Sequence, residues 1–266
     1  MPETGFVQEP STGLCYFELS HPWGHGTPVQ PGFPDTIIFR SVTIATHGVM
    51  SHRVKLTMHN TTHVNAPLHL IAGAAGIGQV PVDRFFGPGL TIGVKKQRWE
   101  LVTAADLEAT NADIREGDIV LLNLGWHPLY SDSQEYFGEA PGLSEDAAEW
   151  LVEKKVKMVG IDTPNIDHPL ATLLGNHRKG PLMRRLPKHY QDTTGKDPSK
   201  AFPKFAPAHK ALLAAGIPTI ENVGGALDAI TGQRATFHAM PWKWAEGDAC
   251  VVRLVAIQDP NQSYEF

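Results

Sequence analysis

The order of apolar and polar residues along the chain predicts strands that alternate with helices. Apolar or largely apolar segments at residues 119–122 and 156–161 are typical of buried strands, because both faces of such a strand must be covered. Between them, Ser144 predicts the start of a helix that runs through Lys155. Serine is a favoured N-cap, and the two acidic residues that follow it suit the positive end of a helix.

The same alternation continues toward the C-terminus. A helix is predicted over about 208–215, where Gly216 stops it, and strands are predicted at 219–221 and 249–257. No change of composition separates the chain into two halves. We therefore expect an α/β fold of one domain over residues 1–266, with helices packed outside a mixed sheet.

Residues 54–65 combine a strand pattern with a group of histidines. Residues 54–58 alternate apolar and polar, which predicts a half-buried strand whose even-numbered side chains face the core. If the chain stays extended beyond this point, the two-residue period places His59, His63 and Asn65 on one face. Two imidazoles and a side-chain carbonyl at this spacing could converge on a metal ion. The alternative is that they are structural residues held by hydrogen bonds.

A proline and a further histidine follow directly. Pro67 cannot donate to a sheet ladder, so the chain should leave the strand there, and a turn would bring His69 beside the metal. Thirteen histidines against two cysteines mean that imidazoles and carboxylates, rather than thiolates, would be the ligands. The sequence has no Walker loop, nucleophile elbow or C-x-x-C pair that would indicate another chemistry.

Composition excludes several classes of protein. A chain with 42% hydrophobic and 19% charged residues can bury a sizeable core. Its formal charge of −5 argues against a dedicated nucleic-acid binder. Two cysteines exclude a disulfide framework. With no signal-peptide pattern and no run of about eighteen apolar residues, we expect a cytoplasmic protein without a membrane partner.

The stretch from His59 to His69 resembles the H-x-G-T-H-x-D-x-P-x-H signature of the metal-dependent cyclase-like hydrolases. That family includes bacterial kynurenine formamidases, isatin hydrolases and related lactam and lactone hydrolases. Further resemblance is found in blocks at residues 18–20, 125–126, 141–144 and 160–163. The resemblance implies a swivelling β/β/α domain that assembles into a homodimer or homotetramer.

The resemblance also implies roles for individual residues. His59 and His63 match the first two metal-binding histidines of the family. His69 matches the histidine that carries out acid–base chemistry. His209 and Glu221 match the ligands of a second metal ion, where one is present.

Two positions depart from the signature. Thr61 stands where the motif has glycine, and Asn65 stands where it has an aspartate that bridges two metal ions. An amide oxygen can bind a metal ion but brings no charge and bridges two dications poorly. We therefore expect one divalent ion in preference to two, either Mn²⁺ or Zn²⁺. The oxygen ligand suits Mn²⁺ better than tetrahedral Zn²⁺.

These observations predict a metal-dependent hydrolase that opens a small cyclic amide or ester, with His69 as the acid and base. Asn65 is then a weak third ligand, and Trp23 and His25 are predicted to contact the substrate. Two alternatives stay open. The chain could hydrolyse an N-formyl arylamine, as a kynurenine formamidase does. It could also be a small-molecule-binding protein that lost hydrolysis together with the aspartate.

The segment from Arg178 to Lys204 is basic against an acidic background. It is interpreted either as a solvated excursion or oligomer contact, or as an electropositive lid that attracts an anionic substrate.

Overall fold

The structure is a computed structural model that describes residues 5–172, 181–262 and 264. Its strands, in chain order, are β1 (Phe6–Gln8), β2 (Cys15–Glu18), β3 (Ile37–Val42), β4 (Ser51–Lys55), β5 (His63–Asn65), β6 (Phe86–Gly93), β7 (Leu101–Val102), β8 (Ile119–Asn123), β9 (Gly142–Leu143), β10 (Met158–Ile161), β11 (Thr219–Glu221), β12 (Arg234–His238), β13 (Ala249–Val251) and β14 (Val255–Gln258).

The α-helices of the described residues are α1 (Ile44–His47), α2 (Ala104–Ala109), α3 (Gln134–Gly138), α4 (Glu145–Glu153), α5 (Pro181–Thr194), α6 (Pro198–Ala201), α7 (Pro207–Ala214) and α8 (Leu227–Ile230). Short 3₁₀ turns lie at Pro67–His69, Val82–Phe85 and His127–Leu129.

One mixed sheet joins ten of the described strands in the order β1-β2-β14-β12-β6-β8-β10-β11-β5-β13. Its centre, β6-β8-β10-β11, is parallel, and the strands on either side are antiparallel. Strands β8 and β10 at this centre are almost entirely apolar because both of their faces are covered. In β8, Ile119 and Leu121 face one core cluster, while Val120 and Leu122 face the other. The predicted mixed α/β architecture is therefore observed.

Helix α4 begins where the sequence predicts. The Ser144 hydroxyl accepts a hydrogen bond from the Ala147 N–H, and Lys154 is the C-cap. Ala147, Ala148 and Leu151 are buried in the core cluster that also contains residues of α7. The predicted strand at 219–221 and the helix near 208–215 are likewise confirmed, the latter as α7.

A buried aspartate at the end of β10 fixes the loop that follows β8. One carboxylate oxygen of Asp162 accepts the Leu124 N–H at 2.9 Å, and the other accepts the N–H groups of Trp126 and His127 at 2.7 and 3.1 Å. The side chain is fully buried. Burial raises the pKa of Asp162, and the three converging N–H groups, which stabilise the carboxylate, oppose that rise.

Two sequence predictions about strands are wrong. The predicted half-buried strand at 54–58 is instead the end of β4, which is exposed throughout and pairs with β3 in a hairpin. The chain then leaves the extended form, Thr61 adopts a positive φ of 49°, and only His63–Asn65 returns to the sheet as β5. His59 therefore does not share a strand face with His63.

The predicted last strand at 249–257 is interrupted and forms two strands at distant places in the sheet. β13 pairs with β5, whereas β14 lies between β2 and β12. Leu254 sits in the break between the two strands, where its carbonyl accepts the Leu19 N–H. Among the described residues, no helix is long and apolar enough to cross a membrane.

Candidate metal centre

Sheet register brings together residues that lie far apart in the chain. β11 runs antiparallel to β5, so that Glu221 is opposite His63 and Thr219 is opposite Asn65. On the other side of β5 lies β13, and the residue just before it, Asp248, accepts the Ala66 N–H through its carbonyl at 2.8 Å. Ionisable side chains from three strand ends therefore meet at one place.

At the opening of this site, two imidazoles face one carboxylate. Nε2 of His59 lies 2.8 Å from Oδ2 of Asp248, and Nδ1 of His69 lies 3.7 Å from the same oxygen. One ligand atom from each of the three residues lies within 4.8 Å of the others, which is close enough to hold a metal ion. The two histidine rings have centroids 4.2 Å apart.

A second, buried layer lies beneath. Nε2 of His63 lies 3.1 Å from Oε2 of Glu221, and the Ile166 N–H donates to the other oxygen of that carboxylate at 2.9 Å. Nε2 of His209 lies 2.7 Å from the Thr219 hydroxyl. These contacts fix Glu221 and the two rings among the strands.

Asn65 belongs to this buried layer. Its Nδ2 lies 3.4 Å from both Nε2 of His209 and the Thr219 hydroxyl. The opposite atom of the amide, Oδ1, is buried and has no hydrogen-bond partner among the described residues. Nε2 of His63 is likewise buried, and its ion-pair contact with Glu221 lacks hydrogen-bond geometry. Buried polar atoms are rarely left unpaired, so these two atoms fit a site that takes up an additional group.

The protonation states suit a cation. Burial lowers the pKa of His209 to about 3 and also lowers the pKa of His59, against the opposing effect of Asp248. The hydrogen bond from His59 and the proximity of His69 hold the pKa of Asp248 well below its usual range. Burial alone would raise the pKa of Glu221, but the His63 contact and the Ile166 N–H hold it low. Neutral imidazoles and ionised carboxylates are the forms that bind metal ions.

The N-terminus of α7 is capped from a distance. Its own N-cap position, Ala206, has a left-handed conformation and offers no side-chain acceptor. Instead, the Asp167 carboxylate accepts the N–H groups of Ala208 and His209 at 2.9 and 3.1 Å. Burial raises the pKa of Asp167 to about 7. The hydrogen bond to the His209 N–H positions His209, and Asp167 is not among the residues that line the cavity described next.

A cavity of about 150 Å³ opens beside the histidines. His59, His69, His209 and Glu221 form its polar wall. The remaining wall is largely apolar or uncharged and consists of Gln30, Phe33, Leu70, Asn165, Thr172, Phe205 and Ala206. A small ligand with an apolar body and one polar reacting group fits such a wall.

The structure brings six sequence-predicted residues together: His59, His63, Asn65, His69, His209 and Glu221. Trp23 and His25 lie outside the cavity lining. Trp23 lines a separate groove beside Trp242, and Nε2 of His25 lies 2.5 Å from the Ile38 carbonyl oxygen at the base of the β3–β4 hairpin. Their proposed contact with substrate stays a prediction.

Sequence reasoning missed Asp248. It lies 189 residues from His59, so no spacing rule could connect the two. The available signal was weak, namely one acidic residue immediately before the predicted strand at 249–257.

Part of the basic 178–204 segment, residues 178–180, lies outside the described residues. Within the described part, Lys188 pairs with Asp192 and Lys204 pairs with Glu145. The proposed lid therefore also stays a prediction.

Residues 17–168 match the protein family described as "Putative cyclase", and the chain belongs to this family. Its fold is shared with solved structures. An isatin hydrolase bound to the product analogue thioisatinate is 20% identical, with 94% of each chain covered and a TM-score of 0.75. Isatin hydrolase A from Ralstonia solanacearum is also 20% identical, with 92% of each chain covered and a TM-score of 0.73.

A third similar structure is described as a potential metal-dependent hydrolase with cyclase activity. It is 23% identical, covering 93% of this chain and 99% of that chain, with a TM-score of 0.66. At these identities the similarity establishes the fold of the chain, which is the predicted α/β fold of the cyclase-like hydrolases.

Proposed function

We propose that the protein is a metal-dependent hydrolase that opens a small cyclic amide or ester. The observation that carries this proposal is the convergence of His59, His69 and Asp248 at a small cavity that combines polar and apolar lining. Membership of the cyclase family and the similarity to proteins described as metal-dependent hydrolases support it. The isatin hydrolase neighbours make a lactam or lactone our first choice, ahead of an N-formyl arylamine.

In this proposal, His59 and Asp248 would hold one divalent ion, Mn²⁺ or Zn²⁺, and His63, Asn65 and Glu221 of the buried layer are further candidate ligands. Such an ion supplies Lewis-acid polarisation of a carbonyl and lowers the pKa of water. Phe33 and Phe205 supply apolar contacts on another side of the cavity.

His69 is the group that we assign to proton transfer. It is the most accessible of the four clustered histidines, with 27% of its side chain exposed against 12% for His59 and 6% or less for the others. An acid and base must reach the substrate, whereas a ligand need not. Asp248 faces Nδ1 of His69 and would orient the ring as it takes a proton from water and gives it to the leaving nitrogen or oxygen.

The test begins with metal content per chain, measured by inductively coupled plasma mass spectrometry on protein purified without a metal affinity column. Turnover of lactam, lactone and N-formyl arylamine panels is then measured before and after EDTA, and after Mn²⁺ or Zn²⁺ is restored. We expect metal-dependent ring opening and about one ion per chain. Two ions per chain would contradict our argument from Asn65. No binding and no turnover would favour the small-molecule-binding alternative.

The role of His69 has its own test. His69→Ala should keep its bound metal and lose turnover by a factor of about 10² or more, the usual contribution of a positioned acid and base. If the variant loses its metal instead, His69 is a ligand. If it keeps full activity, His69 has no part in the mechanism.

A further inference from the structure

Two buried residues beside the candidate metal centre adopt the left-handed backbone conformation. Thr61, two positions before His63, has a φ of 49°. Asn222, which directly follows Glu221, has a φ of 58°. Asparagine tolerates this conformation, whereas it strains a β-branched residue such as threonine. Strain of this kind persists only where surrounding contacts hold it, so the contacts of Thr61 indicate why it is tolerated.

The Thr61 carbonyl accepts two hydrogen bonds at once. One comes from Nδ1 of His63 at 2.9 Å, and the other comes from Nδ2 of Asn222, also at 2.9 Å. A carbonyl oxygen has two lone pairs, and both are engaged here. Because a carbonyl cannot donate, Nδ1 of His63 carries the proton. In the neutral ring, Nε2 is then the atom with the free lone pair.

This tautomer places two acceptors against each other. Nε2 of His63 lies 3.1 Å from Oε2 of Glu221, and both side chains are buried. In the neutral ring, a lone pair of the imidazole faces a carboxylate oxygen, and neither atom can donate to the other. A buried pair of acceptors fits a site that takes up a cation, because deprotonated nitrogen and oxygen atoms are the ones that bind metal ions.

The Asn222 amide is itself held in one orientation. The fully buried Tyr136 donates its hydroxyl to Oδ1 of Asn222 at 2.6 Å, so Nδ2 is the atom that faces the Thr61 carbonyl. The backbone of Asn222 is fixed as well, since its N–H donates to the Thr163 carbonyl at 3.0 Å and its own carbonyl accepts the Thr62 hydroxyl at 2.5 Å. Asn222 therefore presents a donor of fixed direction to Thr61.

We propose that Asn222 is a positioning residue, which holds the Thr61 carbonyl where it keeps the His63 proton on Nδ1 and leaves Nε2 to bind an ion. Asn222 does not line the cavity and acts through His63. The same hydrogen bond helps to hold the strained threonine that stands where the family motif has glycine, a residue that takes a positive φ freely. This inference rests on the proposed function, because that function needs a bound divalent ion.

Asn222→Gly tests the proposal, because it removes the amide but keeps a residue that adopts a positive φ without strain. We expect its affinity for Zn²⁺, measured by competition with a chromogenic chelator, to fall by about 10- to 100-fold, the usual cost of removing a group that orients a metal-binding histidine. The matched control is Asn111→Gly, since Asn111 is an exposed asparagine with a positive φ of 49°. The control should bind Zn²⁺ as wild type does.

A second measurement follows the His63 proton directly by nuclear magnetic resonance, with and without Zn²⁺. In protein labelled with ¹⁵N-histidine, the Nδ1–H resonance of His63 is identified by its loss in His63→Gln. Backbone amides of the core strand β8 report global opening of the protein. In Asn222→Gly, exchange of the His63 proton with water should accelerate by about tenfold more than exchange of these amides, and in the control it should not. A purely structural role of Asn222 would raise both rates by the same factor.

Tyr136→Phe is a milder variant, which removes only the hydroxyl that orients the Asn222 amide. It should change both measurements in the same direction by a smaller factor, and it decides the question if Asn222→Gly does not fold. Unchanged Zn²⁺ affinity, or weaker affinity with an unchanged His63 proton, would overturn the proposal. A wild type that binds neither Zn²⁺ nor Mn²⁺ would contradict the proposed function instead, and proton exchange in the metal-free protein would still decide the role of Asn222.

Discussion

Asp248 provides the sharpest test of the candidate metal centre, because its carboxylate contacts both His59 and His69 and the substitution Asp248→Asn preserves its shape. The change removes the negative charge at the mouth of the site. We expect Mn²⁺ to bind more weakly to the variant, since an amide carries no net negative charge and attracts a dication less strongly than a carboxylate does.

The size of the effect follows from the contacts. The Asp248 oxygen lies 2.8 Å from Nε2 of His59, so the substitution removes a negative charge beside the position where the ion would bind. Altering a group that orients or charges a metal site typically costs about 10- to 100-fold in affinity, or about 1.4 to 2.8 kcal/mol. Because 46% of the Asp248 side chain is exposed, solvent screens part of this interaction, and the expected loss is nearer to tenfold.

The assay is competition for Mn²⁺ against a fluorescent chelator, at fixed ionic strength. Glu246→Gln is the matched control, because Glu246 is an exposed acidic residue two positions away and removes the same charge from the chain. The control should bind Mn²⁺ as wild type does. An affinity for Asp248→Asn within threefold of wild type, or an equal loss in the control, would refute the reasoning.

Two further predictions concern stability and are measured by urea unfolding. Asp162→Asn should lower the free energy of unfolding by about 2–4 kcal/mol, because at least one of three buried N–H groups would face an amide donor. The exposed Asp192→Asn should change it by less than about 0.5 kcal/mol, and equal effects would contradict this account. Hydrogen bonds from Lys96 and Thr103 lower the pKa of Asp106 to about 2. The stability from this group is therefore complete above its ordinary pKa and is lost as the pH falls toward 2. Asp106→Asn should flatten this part of the pH profile, by less than about 1 kcal/mol. An unchanged profile would mean that Asp106 does not contribute to acid unfolding.

The local sequence pattern was sufficient to predict an element where burial alone determines which of its positions are apolar. The apolar run of β8, the Ser144 cap of α4 and the strand at Thr219–Glu221 are found as predicted. Each depends on neighbours within a few residues, through side-chain alternation or a cap that reaches the first turn. The histidine group in the sequence likewise predicted which residue types would gather at one site.

The β3–β4 hairpin shows where a local pattern is ambiguous. Alternation at residues 54–58 indicates that the two faces of a strand differ in polarity, but it does not indicate what covers the apolar face. The sequence suggested the core of the same chain, whereas Val54 lies on an exposed hairpin. What covers a face depends on the path of the rest of the chain.

The sequence alone determined the kinds of ligand available at the candidate metal centre, since thirteen histidines and two cysteines favour imidazole over thiolate. Only the tertiary structure decided which of them meet. It placed His59 outside the strand that contains His63, and it brought Asp248 to His59 across 189 residues of chain. The physical reason is that the spacing between two residues determines the relative direction of their side chains only within one helix or strand. Proximity between elements is set by the order of strands in the sheet, and β5 lies between β11 and β13.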